Sequence, residues 1–322
     1  MEVVFEKILV LFLLLVVLGR SAVWAIRASA GLARIAGITE FVISLVLITL
    51  ISVLPETVIS LFSALGGDPA LGLGALIGSN VADLTLVFGA VAIVAPHAVV
   101  AQARFVTKDY LFLSFLLLPL ALGFTGSYSR LDGIILIAAG ILFFWIMITS
   151  KRREGNGTHR AINHHSLDRE LLILLVSLVL MGSASYYAVY YAREIATIAG
   201  VAPALIGILI IAPGTCLPEL IFSVRAIRKG HATLALVDVL GTVIADATLI
   251  LGILALISPF TFNPRIIIVT GIFMLLAGFL FFSFLRSGRK LTRVEGAYLL
   301  AFYALFIIVE FSLRNWTPLI TR

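Results

Sequence analysis

Leu54-Pro55-Glu56-Thr57-Val58-Ile59-Ser60 returns 163 positions later as Leu217-Pro218-Glu219-Leu220-Ile221-Phe222-Ser223. The same offset, without a gap, carries Gly67 onto Gly230, Leu71 onto Leu234, Gly78 onto Gly241 and Ala82-Asp83 onto Ala245-Asp246. It then carries Thr85 onto Thr248, Gly89 onto Gly252 and Pro96 onto Pro259. Apolar matches are cheap in a chain of this composition, but matched Pro, Glu, Asp and Gly are not. The chain therefore reads as two copies of one unit.

Around the repeat the composition is that of a membrane protein. Of 322 residues 61% are hydrophobic and 12% charged, with a mean hydropathy of +1.15; soluble domains run near half apolar and a quarter charged. The one cysteine, Cys216, excludes a disulfide scaffold or a Cys-rich metal cluster. The formal charge of +6 sits in short clusters between apolar runs and not on one soluble face, so no nucleic-acid partner is expected. At about 20 apolar residues per membrane helix, spans fall near 4–26, 39–65, 70–96, 110–126, 131–149, 170–191, 201–226, 232–258, 264–285 and 295–313. The first is kept as a span and not a signal peptide, because it has no small-residue cleavage site and runs on into Trp24. The expected fold is an all-α polytopic membrane protein of ten transmembrane helices in two inverted five-helix repeats, with helices 2, 3, 7 and 8 broken. Residues 1–150 would form the first half around motif 41–96, and 170–322 the second around motif 204–259, joined by a linker at 151–169.

Orientation follows from Lys and Arg in the short loops. Seventeen of the 23 basic residues fall on alternate loops, including Arg104 and Lys108, Lys151 to Arg153, and Arg286 to Arg293. The other six are Lys7, Arg130, Arg193, Arg265, Arg314 and Arg322. This bias makes the 17-residue side cytoplasmic, with the central basic linker, and both termini external. Five spans per half is an odd number, so the second copy enters the membrane from the opposite face. His159, His164 and His165 read as part of a solvated linker, and Arg225, Arg228 and Lys229 as orientation signals able to touch lipid headgroups.

Four of the 17 acidic residues cannot sit in loops: Glu56, Asp83, Glu219 and Asp246. An ionised carboxylate at the bilayer centre costs about 2.5–3.5 kcal/mol even on the lenient insertion scale, so four unpaired ones cost about 10 kcal/mol. No Lys or Arg lies at matching depth, so the neutralising charge must come as cations or protons. Pro55 and Pro218 each remove a helix hydrogen bond just before a Glu, and Ala212-Pro213-Gly214-Thr215-Cys216-Leu217-Pro218 is a strong break signal. Gly78-Ser79-Asn80 and Gly241-Thr242 are expected to loosen spans three and eight beside the two Asp. Ser52, Thr215, Ser79 and Thr242 add hydroxyls, and opened carbonyls at membrane depth are tolerated where they line a cavity. The all-oxygen inventory suits a hard cation such as Ca²⁺ and disfavours soft metals.

With these residues in view, the chain resembles the sodium/calcium exchanger branch of the cation/calcium antiporter superfamily. That family carries two inverted repeats of G-T-S-L-P-E followed by G-S-N-x-x-(N/D). Here they read Ile51-Ser52-Val53-Leu54-Pro55-Glu56 with Gly78-Ser79-Asn80-Val81-Ala82-Asp83, then Gly214-Thr215-Cys216-Leu217-Pro218-Glu219 with Gly241-Thr242-Val243-Ile244-Ala245-Asp246. The resemblance implies Glu56 and Glu219 as central Ca²⁺ ligands assisted by Ser52 and Thr215, with Asp83 and Asp246 beside them. It implies Ser79 and Thr242 at a flanking monovalent-ion site, and backbone carbonyls near Thr49 and Ala212 completing the cage. Spans one and six would slide across the other eight. Val53 and Cys216 replace the second hydroxyl of each G-T-S, Ile51 replaces a glycine, Val243 an asparagine, and Asp238 stands where the family often has asparagine. The divalent core is intact and the counter-ion is open: Na⁺ by resemblance, or H⁺, because a crowded set of acids repels itself.

The expected function is therefore secondary antiport of Ca²⁺ against Na⁺ by alternating access, with H⁺-coupled divalent antiport as the alternative. Rings of acids also line passive cation channels. An Asp83/Asp246 protease dyad is disfavoured, since such chemistry needs no matched Glu. No enzymatic residues, no cofactor and no obligatory protein partner are expected; the partners are membrane lipid and the transported cations. Glu310 reads as a packing or interfacial residue, and Glu40 as a helix cap.

Overall fold

The computed structural model describes residues 2–35, 49–95, 99–100, 109–149, 164–228, 230, 232–288 and 290–313. Glu40 and residues 151–163 of the expected linker lie outside them; the rest of that linker, 164–169 with His164 and His165, is not a connecting loop but the first turns of the next helix. Helix α1 runs Glu2–Ile35, and one turn of helix, α2 (Thr49–Ser52), leads into α3 (Leu54–Leu65). Helix α4 (Pro69–Ala82) continues through a π-helical turn, Asp83–Val87, into α5 (Phe88–Val94). Helices α6 (Asp109–Gly123) and α7 (Arg130–Thr149) close the first half. The second half opens on α8 (His164–Ala199). Next come α9 (Pro203–Ile206), a π turn at Gly207–Ile211, α10 (Ala212–Thr215) and α11 (Leu217–Arg228). Helix α12 (Ala232–Ile244), a π turn at Ala245–Ile250, α13 (Leu251–Ile257), α14 (Pro264–Gly288) and α15 (Arg293–Ser312) complete it. Two antiparallel strand pairs staple the ends: β1 (Val99–Val100) with β4 (Lys290–Leu291), and β2 (Ser127–Tyr128) with β3 (Phe260–Thr261).

Among the described residues, eight helical stretches are long and apolar enough to cross a membrane, and Leu54–Leu65 and Tyr110–Gly123 are shorter apolar helices. The first and sixth overrun the expected limits of 4–26 and 170–191, because a continuous α pattern through Ile35 and Ala199 extends them past the apolar core. Large apolar side chains such as Phe12, Trp145, Val179 and Ile308 stand exposed, as helices facing lipid require.

The proline breaks fall as expected. Val53 (φ −75°, ψ −1°) separates α2 from α3, and Cys216 (φ −73°, ψ −2°) separates α10 from α11. Pro55 and Pro218 bring no amide to the carbonyls four residues back, so the helix relaxes there and restarts. Spans three and eight differ from expectation. Gly78-Ser79-Asn80 and Gly241-Thr242 remain α-helical, and the ladder instead widens into π turns beginning at Asp83 and Ala245. The physical reason lies in Thr85 and Thr248, whose hydroxyls bond the Val81 and Ile244 carbonyls at 2.5 Å each and satisfy groups that a widened turn releases. The glycines serve close approach, not flexibility.

Packing divides the apolar residues into two clusters. Residues of α1 and α8, which lie against each other along their length, share one with Ile51, Ile59, Leu71, Ala75, Ile206 and Ile211. Most of the remaining helices share the other. Two glycine-on-glycine crossings lock the second group. A Cβ at Gly89 would stand 2.9 Å from the Gly296 carbonyl oxygen, and one at Gly252 would stand 2.8 Å from that of Gly133. Both crossings join one half to the other, and both obey the 163-residue offset (Gly89 to Gly252, Gly133 to Gly296). Small residues of this kind are what membrane helices use to approach closely.

At one end of the molecule the buried Tyr128 hydroxyl donates to the Pro119 carbonyl at 2.6 Å, and its ring stacks on Phe262 at 5.4 Å. Tyr128→Phe leaves that carbonyl buried without its donor, at a cost of about 1–3 kcal/mol. A thermal melt of the purified variant is expected to show a lower midpoint; an unchanged midpoint refutes the bond's contribution.

Candidate functional site

Glu56 and Glu219 sit in the first turns of α3 and α11, immediately after the two breaks. A helix start exposes amide dipoles that favour a negative charge, so the breaks place each carboxylate at the positive end of a short helix. Asp83 and Asp246 lie in the first turns of the two π segments. All four are at most 1% exposed. Ser52, Thr215, Ser79, Thr242 and Thr49 are fully buried, as is Ala212.

Each acid meets neutral donors of the opposite half, or none. The Thr215 hydroxyl is beside the Glu56 carboxylate while giving its proton to the Ala212 carbonyl at 3.0 Å. The Ser79 hydroxyl lies 2.8 Å from the Leu76 carbonyl and 3.2 Å from Asp246 Oδ2, so its one proton serves either. The Cys216 thiol is beside Asp83 and points at the Ser79 carbonyl at 3.6 Å. The Thr242 hydroxyl turns back to the Asp238 carbonyl at 3.0 Å. The Thr49 and Ala212 carbonyls accept from the Val53 and Cys216 amides at 3.1 and 3.2 Å, so they are not fully open.

What remains is a set of oxygens without partners. Both oxygens of Asp83 and of Glu219, Glu56 Oε2 and Asp246 Oδ1 are buried and make no hydrogen bond. No Lys or Arg side chain is buried among the described residues. The charges of Glu56, Asp83, Glu219 and Asp246 are near enough to act on one another. They form a loose cluster: among the described residues no three His, Cys, Asp or Glu side chains are gathered tightly enough to grip one ion at once.

Three further buried groups lie by these residues and are not among those the sequence points to. Asp238, fully buried, accepts from the Ser52 hydroxyl at 3.2 Å, and its charge reaches Asp83 and Glu219. The signal was its departure from asparagine. Ser60 and Ser223, one turn beyond Glu56 and Glu219, are buried with unpartnered hydroxyls, and the repeat offset had already paired them. Glu310 takes the Thr270 hydroxyl at 2.6 Å, which fits its reading as a packing residue.

A family model described as sodium/calcium exchanger protein matches residues 7–149 and 169–311. The inner membrane protein YrbG of Escherichia coli (strain K12) is 30% identical over 268 residues, covering 80% of this chain and 81% of that protein. The sodium/calcium exchanger MaX1 of Methanosarcina acetivorans is 24% identical over 349 residues, covering 94% and 98%. Among solved structures, the sodium-calcium exchanger NCX_Mj soaked with Na⁺ and Sr²⁺ superposes with a TM-score of 0.67 at 24% identity, covering 95% of this chain and 98% of that one.

Proposed function

The chain belongs to the sodium/calcium exchanger family, whose members are multi-pass membrane transporters, and on that premise we propose that it exchanges Ca²⁺ for Na⁺ by alternating access at the buried carboxylates. The observation that carries this reading is the set of partnerless oxygens on Glu56, Asp83, Glu219 and Asp246, with no buried basic side chain among the described residues. Intramembrane acids of this kind mark ion pathways. Glu56 and Glu219 are the divalent ligands, drawn together by the ion, with Ser52 and Thr215 as neutral assistants and Asp83 and Asp246 beside them. Ser79 and Thr242 flank the centre as monovalent-ion ligands, and the cage is completed by the second lone pair of the Thr49 carbonyl and by the Ala212 carbonyl once the Thr215 hydroxyl turns from it to the ion.

Loading is what makes the exchange obligatory. One Ca²⁺ or its counter-cations neutralise the cluster, while an unloaded site leaves several buried charges uncompensated and so raises the barrier to switching. The ten apolar segments form two inverted five-helix halves with external termini and a cytoplasmic linker; the offset shared by the two glycine crossings supports this pairing. Helices α1 and α8, which lie against each other along their length, are the moving pair.

A second reading, H⁺-coupled antiport, draws on the crowding of acids alone, which a proton relieves as well as a metal ion does. Ca²⁺ uptake into proteoliposomes under an outward Na⁺ gradient, repeated with only a pH gradient, separates the two. Uptake is expected with Na⁺ and not with pH alone. Uptake driven by pH alone establishes the second reading, and Ca²⁺ conductance with neither gradient establishes a channel.

A further inference from the structure

The 163-residue repeat fails at two positions that meet the same spot of the fold. Thr49 falls on Ala212, and Asp238 falls on Ala75. All four are buried, at 0% exposure. In one half, a Cβ at Gly241 would stand 2.6 Å from the Thr49 hydroxyl; in the other, a Cβ at the matching Gly78 would stand 2.9 Å from the Ala212 Cβ. So the same helix-on-helix seat is lined by a hydroxyl on one side and by a methyl on the other.

The polar side is furnished further. Ser52, one turn along α2 from Thr49, donates to Asp238 Oδ1 at 3.2 Å, and Asp238 lies one turn along α12 from Gly241. Asp238 Oδ2 and Thr49 Oγ1 are both buried without a partner. Burying an unpartnered carboxylate oxygen and an unpartnered hydroxyl at one seat is expensive, whereas the apolar pair that the other half uses there costs nothing. Such an expense is offset only when something binds. One carboxylate and two hydroxyls offer a single negative charge to a hard ion, too little for a divalent cation alone and suited to a monovalent one.

We propose that Asp238, with the Thr49 and Ser52 hydroxyls, forms a monovalent-cation subsite that exists in one half of the molecule only. It deepens the antiport reading, on which it rests, by making the two sides of the carboxylate cluster inequivalent: one side holds its counter-cation with a carboxylate of its own, and the other does not. Ser52 is then shared between Asp238 and the centre, so filling the subsite and filling the centre are coupled.

The test is a titration of thermal stability on the purified full chain in detergent, with NaCl and with CaCl₂ separately, choline chloride holding ionic strength constant. Ligands that bind the folded state raise the melting temperature in proportion to occupancy. In Asp238→Ala, which copies Ala75, the Na⁺ midpoint is expected to rise by about 10-fold or more relative to wild type, as losing a charged ligand implies, and by more than the Ca²⁺ midpoint rises. Thr49→Ala, which copies Ala212, should move the Na⁺ midpoint in the same direction by a smaller factor. If Asp238→Ala does not fold, Thr49→Ala decides by the same comparison. An unmoved Na⁺ midpoint, an equal shift for both ions, or a wild type that Na⁺ does not stabilise overturns the subsite. A wild type that responds to Na⁺ and not to Ca²⁺ instead sinks the calcium reading, and the Na⁺ shift alone then judges the subsite.

Discussion

Glu219→Gln is expected to abolish Ca²⁺ uptake into Na⁺-loaded proteoliposomes, by 100-fold or more on the basis that a charged ligand contributes about 3 kcal/mol, while leaving a folded protein. The two parts of that expectation have one cause. Both oxygens of Glu219 are buried without a hydrogen bond, so the carboxylate contributes nothing to the resting fold that a neutral amide of the same shape fails to supply. What glutamine cannot supply is the charge. Glu56→Gln should behave alike, since Glu56 holds the matching first turn of its own short helix. Glu310→Gln is the contrast: Glu310 already has the Thr270 hydroxyl at 2.6 Å and lies outside the cluster. Uptake measured with ⁴⁵Ca²⁺ at wild-type rates in either ligand variant would remove those residues from the site.

The second large effect is structural. Gly252→Val is expected to cost about 3 kcal/mol or more through overpacking, seen as loss of the monodisperse peak in detergent. A Cβ at Gly252 would stand 2.7 Å from Ile137 Cγ1 and 2.8 Å from the Gly133 carbonyl, and the latter is helix backbone that cannot step aside. Gly89→Val should fail in the same way, because Gly89 meets Gly296 at the repeat-related crossing. Gly182, midway along α8, is the control: nothing lies within 4 Å of a Cβ there. Gly182→Ala is therefore expected to raise the melting temperature slightly, by the 0.5–1 kcal/mol, roughly, that alanine gains over glycine within a helix. A Gly252→Val protein as stable as wild type would mean that the two halves do not cross where the glycines place them.

Much of this architecture was legible in the chain because rare residues repeat. Pro55 and Pro218 located both breaks to within two residues, and the depth of Glu56, Asp83, Glu219 and Asp246 among apolar runs marked the cluster before any coordinates. The offset alone could not say which matched residues touch. Gly133 and Gly296 share it, yet they fell outside the window of dense matches, and their contacts join elements distant in sequence. The loosening beside Asp83 and Asp246 was legible, but its form was not: the glycines stay α-helical, and Thr85 and Thr248 carry the bonds that allow a π turn. Asp238 escaped for the opposite reason: a search for symmetry discards what has no mate, and its counterpart is Ala75.

Helices α1 and α8 have 34 and 36 residues. At about 1.5 Å per residue each runs roughly 50 Å, against a hydrocarbon slab of about 30 Å. A rod longer than its slab can shift along its own axis by about one pitch and still span it. Thermally driven gliding of this pair would then meet almost no resistance from lipid thickness, and exchange rates should respond weakly to acyl-chain length. The stubby Leu54–Leu65, at 12 residues, has no such surplus and must stay anchored to its neighbours.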